Sequence, residues 1–569
     1  MMPRNVSPWR PMVLLLVAFL FLLGAGAIRA RHQYLSRGIP ESLPQPIAHG
    51  GPTLGLNVGL QQYDQAQLEA SLQRIAATGV RYIKQPFYFS GDEPYDWSAS
   101  EQIFTAVRQQ QGPELVALLD GDPQQNFAPP ENPDDFAAWA GEFARRYGDH
   151  VRYYFIWDEP NLSSHWGQQP VNASEYAAVL SAAARAIRAE DGDAVVVTAP
   201  LAPTSDAGPT NLADARYLQE LYAAGAGEFF DAAAAKPYGF YSDADDRRVS
   251  VDVLNFSRAI LLREVMRENG DGHKALFAGN WGWNSLPDDW QGSPSIWGNT
   301  ESRARVAYTN RALSRARQEW PWMGLMFLET WEAPAPADDP RHGFDVAGTS
   351  LESALPDMVA GSNVAYPGFH LADPQGPGQQ YEGGWRFSPL YGADISQTGD
   401  SLTFRFWGTA AGLRIRRADY RARLYVTVDG EPAPDLPYDG EGAALVLTTP
   451  DIDPAAEYLD TVLVAKNLEP GLHEMTVEAY RGWDQWALNG FSVGYRPTST
   501  VTSIGTLALL LGALVFVILG VFDARRVDWQ RAANRLLTRY RGLSERARLF
   551  GTVFAAGIVI LTGWLTWGE

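Results

Sequence analysis

The chain of 569 residues contains no cysteine. That absence excludes a disulfide framework, a thiolate nucleophile, and any zinc or iron–sulfur centre held by cysteine. Basic residues are the scarcer charge: 46 Lys+Arg stand against 66 Asp+Glu, and the net −20 argues against a nucleic-acid binder. No His pair stands at metal-ligand spacing, His273 and His342 included. The loop acids Asp206, Asp245 and Asp246 lack the spacing of a calcium loop. Neither a metal nor a cofactor is expected. Also missing is a Gly-rich phosphate loop after the first apolar run.

What is present begins with length, enough for two or more folded units. Aromatic residues make up 12% of the chain, with 19 Trp, a composition that permits sugar binding because pyranose C–H faces pack on aromatic rings. Three stretches are apolar enough to enter a bilayer. Residues 12–28, preceded by Arg4 and Arg10, read either as a signal peptide cleaved near Ala25-Gly26-Ala27 or as a retained anchor. Residues 501–522 and 549–567 are each long enough to span.

Residues 524–548 carry eight Arg against Asp528 and Glu545, which puts the 523–548 loop, like the N-terminal Arg pair, on the cytoplasmic side. Both assignments leave residues 31 to 500 outside. Residues 524–548 contribute +6 and the N-terminal tip +2, so the remainder carries −28. The expected protein sits in the cell membrane, in contact with the lipid bilayer, with its main domains extracytoplasmic. The basic loop reads as topology and lipid-headgroup contact.

The expected organisation is an anchor or signal at 1–30, a Pro/Gly-rich stalk at 31–53, and a large domain at 54–375. In that domain apolar runs at 54–58, 82–89, 114–119, 151–157, 194–199, 229–236, 274–278 and 323–328 alternate with helical patterns. Those helices are expected at 65–78, 134–147, 174–190, 252–269 and 300–319. Eight strand–helix units predict a (β/α)8 barrel, with a doubly wound sheet as the competing fold. From 376 to 498 the pattern changes to short alternating segments with turns at Asp429-Gly430 and Pro470-Gly471. That predicts a small jelly-roll-like β-sandwich. Its Trp407, Trp483 and Trp486 form either a sugar platform or core packing.

On a barrel, chemistry sits at the C-terminal ends of the strands. The fourth run ends Trp157-Asp158-Glu159-Pro160-Asn161, an acid pair held before proline. Here the sequence resembles the clan of barrel glycoside hydrolases that includes cellulases, β-xylosidases and α-L-iduronidases. Its fourth strand ends Trp-Asn-Glu-Pro-Asn, with the Glu as general acid/base. The resemblance extends to Arg81-Tyr82-Ile83-Lys84-Gln85-Pro86-Phe87 with Tyr95-Asp96-Trp97, to Ala235-Lys236-Pro237-Tyr238, and to Phe327-Leu328-Glu329-Thr330-Trp331. It implies that Glu159 is the general acid/base acting on a polysaccharide or oligosaccharide, and that Lys84, Asn161, Lys236, Tyr238 and Asn280 line the substrate.

Four positions depart from the clan. The strand-seven nucleophile Glu is replaced by Asn280, in Gly279-Asn280-Trp281-Gly282-Trp283, and an amide cannot form the glycosyl ester. Asp158 stands for Asn, Lys84 for Arg, and Lys236 for His. Three active routes remain: inversion with Glu329 activating water, assistance by a substrate N-acetyl group oriented by Asp158, or retention through Asp120 or Glu332. The inactive alternative is a glycan-binding or polysaccharide-assembly barrel, in which Glu159 forms a salt bridge to Lys84 or Lys236. Of Trp157, Trp281, Trp283 and Trp331, two are expected to stack on sugar and the others to pack the barrel. Trp157 would also raise the Glu159 pKa by desolvation.

Overall fold

The computed structural model describes residues 6–542 except 92–93, 111, 361–362, 395–396, 418–421, 449–457, 481–485 and 498, together with residue 544. The expected span at 549–567 and Trp483 lie outside the described residues. Two units separate: residues 1–35 with 498–569, and residues 36–497.

In the larger unit eight parallel strands close into a barrel in sequence order. They are β1 (Thr53–Asn57), β2 (Tyr82–Phe89), β3 (Glu114–Gly121), β4 (Val151–Ile156), β5 (Val195–Leu201), β6 (Ala232–Ala235), β7 (Ala275–Trp281) and β8 (Met323–Leu328). β1 pairs with β8, so no edge is left, and the doubly wound alternative is excluded.

The barrel interior follows a period of two. Val116 and Leu118, Tyr153 and Phe155, Val195 and Val197, Ala232 and Ala234, Ala275 and Phe277, and Leu325 and Phe327 fill it in layers. Two residues on, the same stripes reach Asp120, Lys236 and Glu329. The wall that is apolar below therefore turns charged where the barrel opens. Helices cover the outside, started by side-chain caps such as the Asp64–Gln67 capping box and Asn172, which accepts from the amides of Ser174 and Glu175.

Two expectations about boundaries need correction. Residues 36–53 are not a free stalk. Arg37 forms a two-point ion pair with Glu264 at 2.8–2.9 Å, and Trp322 Nε1 donates to the Gly38 carbonyl at 2.7 Å. Ser492 Oγ donates to the Pro44 carbonyl at 2.6 Å, and Ala48 bridges to Lys274 beside β7. The helix expected over 252–269 runs only from Ala259 to Glu268. Upstream, Phe256–Arg258 form a 3-10 turn, and the chain before it is held as a loop because Arg258 donates to the carbonyls of Ser250, Val251 and Val253 while pairing with buried Asp214.

The antiparallel sheets form a sandwich. In one, Ser401–Gly408 and Arg423–Val428 flank Gly471–Tyr480; in the other, Tyr458–Ala465 and Leu488–Gly494 flank Ala410–Arg417. Gly368–Leu371 pairs with Leu488–Gly494, so strand pairing with the sandwich begins inside the range expected for the barrel. Trp407 packs against Tyr366 and Tyr495, and Trp486 against Tyr391.

In the smaller unit, helix Trp9–Ser36 and, within helix Ser499–Ala524, the segment Thr502–Ala524 are long and apolar enough to cross a membrane. They run antiparallel, and glycine notches take the side chains between them. A Cβ at Gly512 would come within 2.6 Å of the Phe21 ring, and one at Gly520 within 3.0 Å of Leu15. Arg10 pairs with Asp523 at 2.9 Å at one end.

Candidate functional site

Two of the four lysines in the chain stand at the barrel mouth. Lys236, at the end of β6, points its ammonium between two carboxylates of the β4 loop: Asp158 Oδ2 at 2.9 Å and Glu159 Oε1 at 2.8 Å. Its side chain is 4% exposed. Burial alone would lower its pKa, but Asp158, Glu159 and Glu329 outweigh burial and hold it above the ordinary value. Burial likewise disfavours charge on Asp158, yet Lys236 and Lys84 keep that carboxyl below its usual value.

Lys84, on β2, has no carboxylate in bonding contact among the described residues. It donates to Asn280 Oδ1 at 3.2 Å and lies over the rings of Phe155 (4.8 Å) and Phe327 (5.7 Å). Desolvation pushes its pKa down to about 8. Asn280 passes the contact on, donating through Nδ2 to Glu329 Oε2 at 2.8 Å. The Tyr238 hydroxyl donates to the same oxygen at 2.7 Å. Burial raises the Glu329 pKa, and Lys236 only partly opposes it. Asp120, at the end of β3, is raised further by burial and by the neighbouring Asp158 charge. Asp158, Glu159 and His165 hold ligand atoms close enough for a cation, but Lys236 already supplies the positive charge there.

The backbone of the β4 loop is strained at two points. Trp157 has φ +71° and Glu159 has φ +47°, a region unfavourable for residues other than glycine. The turn at Trp157 sends its ring away from the mouth, between Phe136 (5.4 Å) and Trp166 (5.5 Å). Among the described residues, Asp158 Oδ1 is buried without a hydrogen-bond partner. Glu159 Oε2 lies 3.5 Å from His165 Nδ1, and the His165 ring stacks on Phe127 at 4.8 Å.

The sequence-predicted residues divide sharply. Asp158, Glu159, Lys84, Lys236, Tyr238, Asn280 and Glu329 converge. The four tryptophans do not line the mouth: Trp157, Trp281, Trp283 and Trp331 are at most 1% exposed. Trp281 and Trp283 pack on Phe256, and Trp331 lies under Arg74. No sugar can stack on a ring without an open face, so these expectations are withdrawn. Asn161 is also withdrawn. Its amide is fully used by backbone, donating to the carbonyls of Ala202 and Leu212 at 2.9 Å and accepting from the Ala202 amide at 2.9 Å. Glu332 is exposed and accepts from the Tyr63 hydroxyl at 2.7 Å, which takes it out of the site.

Sequence reasoning missed the rim. Tyr88, at the end of β2, is 39% exposed, and its pKa is raised by burial and then by Asp120 and Asp158. Arg341 carries charge that acts on both Tyr88 and Glu329 while it pairs with Asp339 at 2.7 Å. Trp297, partly buried, packs on Tyr238 (6.4 Å) and Phe344 (5.5 Å). Tyr88 could have been found as the penultimate residue of an expected strand, near its C-terminal end. Arg341 and Trp297 lie in loops without periodicity and gave no signal.

No protein-family profile matches the chain, and no curated protein matches it. Solved structures similar to it include a glucosidase from Croceicoccus marinus, at 13% identity and TM-score 0.41, covering 78% of this chain and 98% of that one. An endo-1,4-β-mannanase from Rhizomucor miehei aligns at 11% identity and TM-score 0.39, over 57% of this chain and 98% of that one. Endo-glycoceramidase II from Rhodococcus sp. aligns at 14% identity and TM-score 0.36, over 78% of this chain and 100% of that one.

Proposed function

We propose that this is a membrane-tethered, extracytoplasmic barrel that binds a hydroxyl-rich glycan at its strand ends and does not carry out retaining glycoside hydrolysis. The observation that carries the reading is the Lys236 ammonium bonded to both Asp158 and Glu159. A general acid must offer its proton to the leaving oxygen; one Glu159 oxygen, Oε1, is instead held in an ion pair with Lys236 at 2.8 Å. The position that would supply a nucleophile is an amide fixed between Lys84 and Glu329. The Asp158 side chain keeps 19% of its surface exposed, where its carboxylate can accept from a sugar hydroxyl or amide. Tyr88 offers the open aromatic edge that the buried tryptophans do not. Carboxylates at the mouth, on an acidic exterior, favour neutral or amino sugars over polyanions.

The N-terminal helix is read as a retained anchor. The glycine notches that receive Phe21 and Leu15, and the Arg10–Asp523 pair, support that role.

Binding of neutral and amino-sugar oligosaccharides to the full chain in detergent tests the site. Asp158→Asn and Tyr88→Ala should each weaken it about 10- to 100-fold, the cost of a hydrogen bond to a charged acceptor or of a stacking face. Unchanged affinity in both variants overturns the assignment.

A second reading, hydrolysis with Glu159 as acid/base, is favoured by the strain that brackets Asp158 and by the approach of Glu159 Oε2 to His165. It requires turnover that Glu159→Gln abolishes.

A further inference from the structure

The helix Trp529–Arg541 follows Ser499–Ala524 after a short turn, and none of its residues is buried. Asp528 caps it, accepting from the Arg531 amide at 3.1 Å, and the Trp529 indole donates to the Ala524 carbonyl at 3.0 Å. The helix is thereby tied directly to the end of the apolar one. At 100° per residue Trp529, Ala532, Ala533, Leu536, Leu537 and Tyr540 fall in one arc of about 140°. Arg531 and Arg535 lie outside that arc, and Arg539 flanks its edge. The large apolar residues of that arc are 41–59% exposed. A water-facing strip of Trp, Leu and Tyr backed by arginines, beginning where an apolar helix ends, matches a bilayer interface in both polarity and charge.

We propose that this helix lies flat on the membrane surface as a binding site for anionic phospholipid headgroups, its Trp–Leu–Tyr face sunk to the acyl boundary and its arginines paired with lipid phosphates. The proposal rests on the reading that Ser499–Ala524 spans the bilayer. Helix geometry places Leu536 inside the apolar arc and Arg535 outside it, about 100° away, so the two labels should report different environments. Each arginine at a charged surface changes the binding constant about fivefold, so removing three should cost about a hundredfold.

The cysteine-free chain makes the test clean. Full-length Leu536→Cys, Arg535→Cys and Leu514→Cys variants, each carrying an environment-sensitive fluorophore, are reconstituted in phosphatidylcholine vesicles with and without phosphatidylglycerol. The label at Leu514, in the middle of the apolar helix, is expected to be quenched by acyl-chain nitroxides in both lipids; failure there refutes the spanning reading itself. The label at Leu536 is expected to be quenched by the same nitroxides with phosphatidylglycerol, and that at Arg535 only by an aqueous quencher. Substituting Arg531, Arg535 and Arg539 by Gln should abolish the lipid dependence at Leu536. If Leu514 is quenched but Leu536 is as water-accessible as Arg535, the helix stands off the membrane and the proposal is wrong. Equal quenching of Leu536 in both lipids refutes recognition of the headgroup charge. Shielding that appears only when a soluble protein is added makes the strip a protein-docking face instead.

Discussion

Replacing Lys236 by Met removes one buried cation from between two carboxylates. The lost contacts are ion pairs at 2.8 and 2.9 Å, with the carboxylate side chains 15% and 19% exposed. Each pair has a gross attraction of about 6 kcal/mol at an effective dielectric of about 20, much of it offset by desolvation. The net cost of leaving the partner charges uncompensated is about 3–5 kcal/mol. Methionine keeps the volume, so little of this is cavity. Denaturant unfolding of the full chain in detergent, followed by tryptophan fluorescence, measures the loss. The pH dependence has a definite sign. The Lys236 pKa is raised on folding above the ordinary 10.5, so its stabilisation is complete below that pH and is lost as pH climbs through the native value. The Asp158 pKa is lowered from 3.8, so its share disappears as pH falls through the folded value. The wild-type advantage over Lys236→Met should therefore be flat through neutrality and shrink at both extremes. Adding Asp158→Asn and Glu159→Gln to Lys236→Met should recover most of the loss. A cost below about 0.5 kcal/mol, or no recovery in the triple variant, would refute a charge-compensated site.

Lys84 predicts the opposite pH behaviour. Its pKa falls on folding from 10.5 to about 8, so the unfolded chain keeps its proton longer and native stability should rise with pH across that window, by at most about 3 kcal/mol. Lys84→Met should lack that rise in the same unfolding measurement. Asp120→Asn removes a carboxyl whose pKa folding raises above 3.8; it should stabilise the protein at neutral pH, with the gain vanishing below about pH 4. Gly512→Leu should separate the two apolar helices in cross-linking between cysteines placed at Phe21 and Phe516, whose rings are 5.5 Å apart. N-terminal sequencing of membrane-extracted protein should find the chain intact upstream of Ala25.

The barrel was legible because its strands are buried on both faces. Runs such as 274–278, apolar after Lys274, and 323–328 lie within a few residues of β7 and β8. The charged residues at the mouth were legible for a related reason: Lys236 and Glu329 interrupt apolar stripes where the period of two continues. The tryptophans misled because the one-letter pattern gives a strand-end position but not a direction. At Trp157 the direction is set by a positive φ that turns the ring toward Phe136 and Trp166. Asn161 was read as a substrate ligand from its place in the motif, although its partners are backbone groups 41 and 51 residues away. A salt bridge for Glu159 was one of two alternatives in the sequence, and only the closed barrel brings β4 and β6 near enough to fix Lys236 as its partner. Residues 31–53 read as a stalk because Pro and Gly rule out periodicity, not packing; residues 31–36 continue the first helix, and the rest is held on the barrel by single contacts such as Trp322 to Gly38.

The most direct test incubates the full chain, at stoichiometric concentration, with the oligosaccharide that it binds most tightly, and weighs the glycan by mass spectrometry before and after. Recovery of the bound glycan at unchanged mass is the predicted result. Shortened products that gain one water, and that disappear with Glu159→Gln, would contradict it and make this barrel a hydrolase.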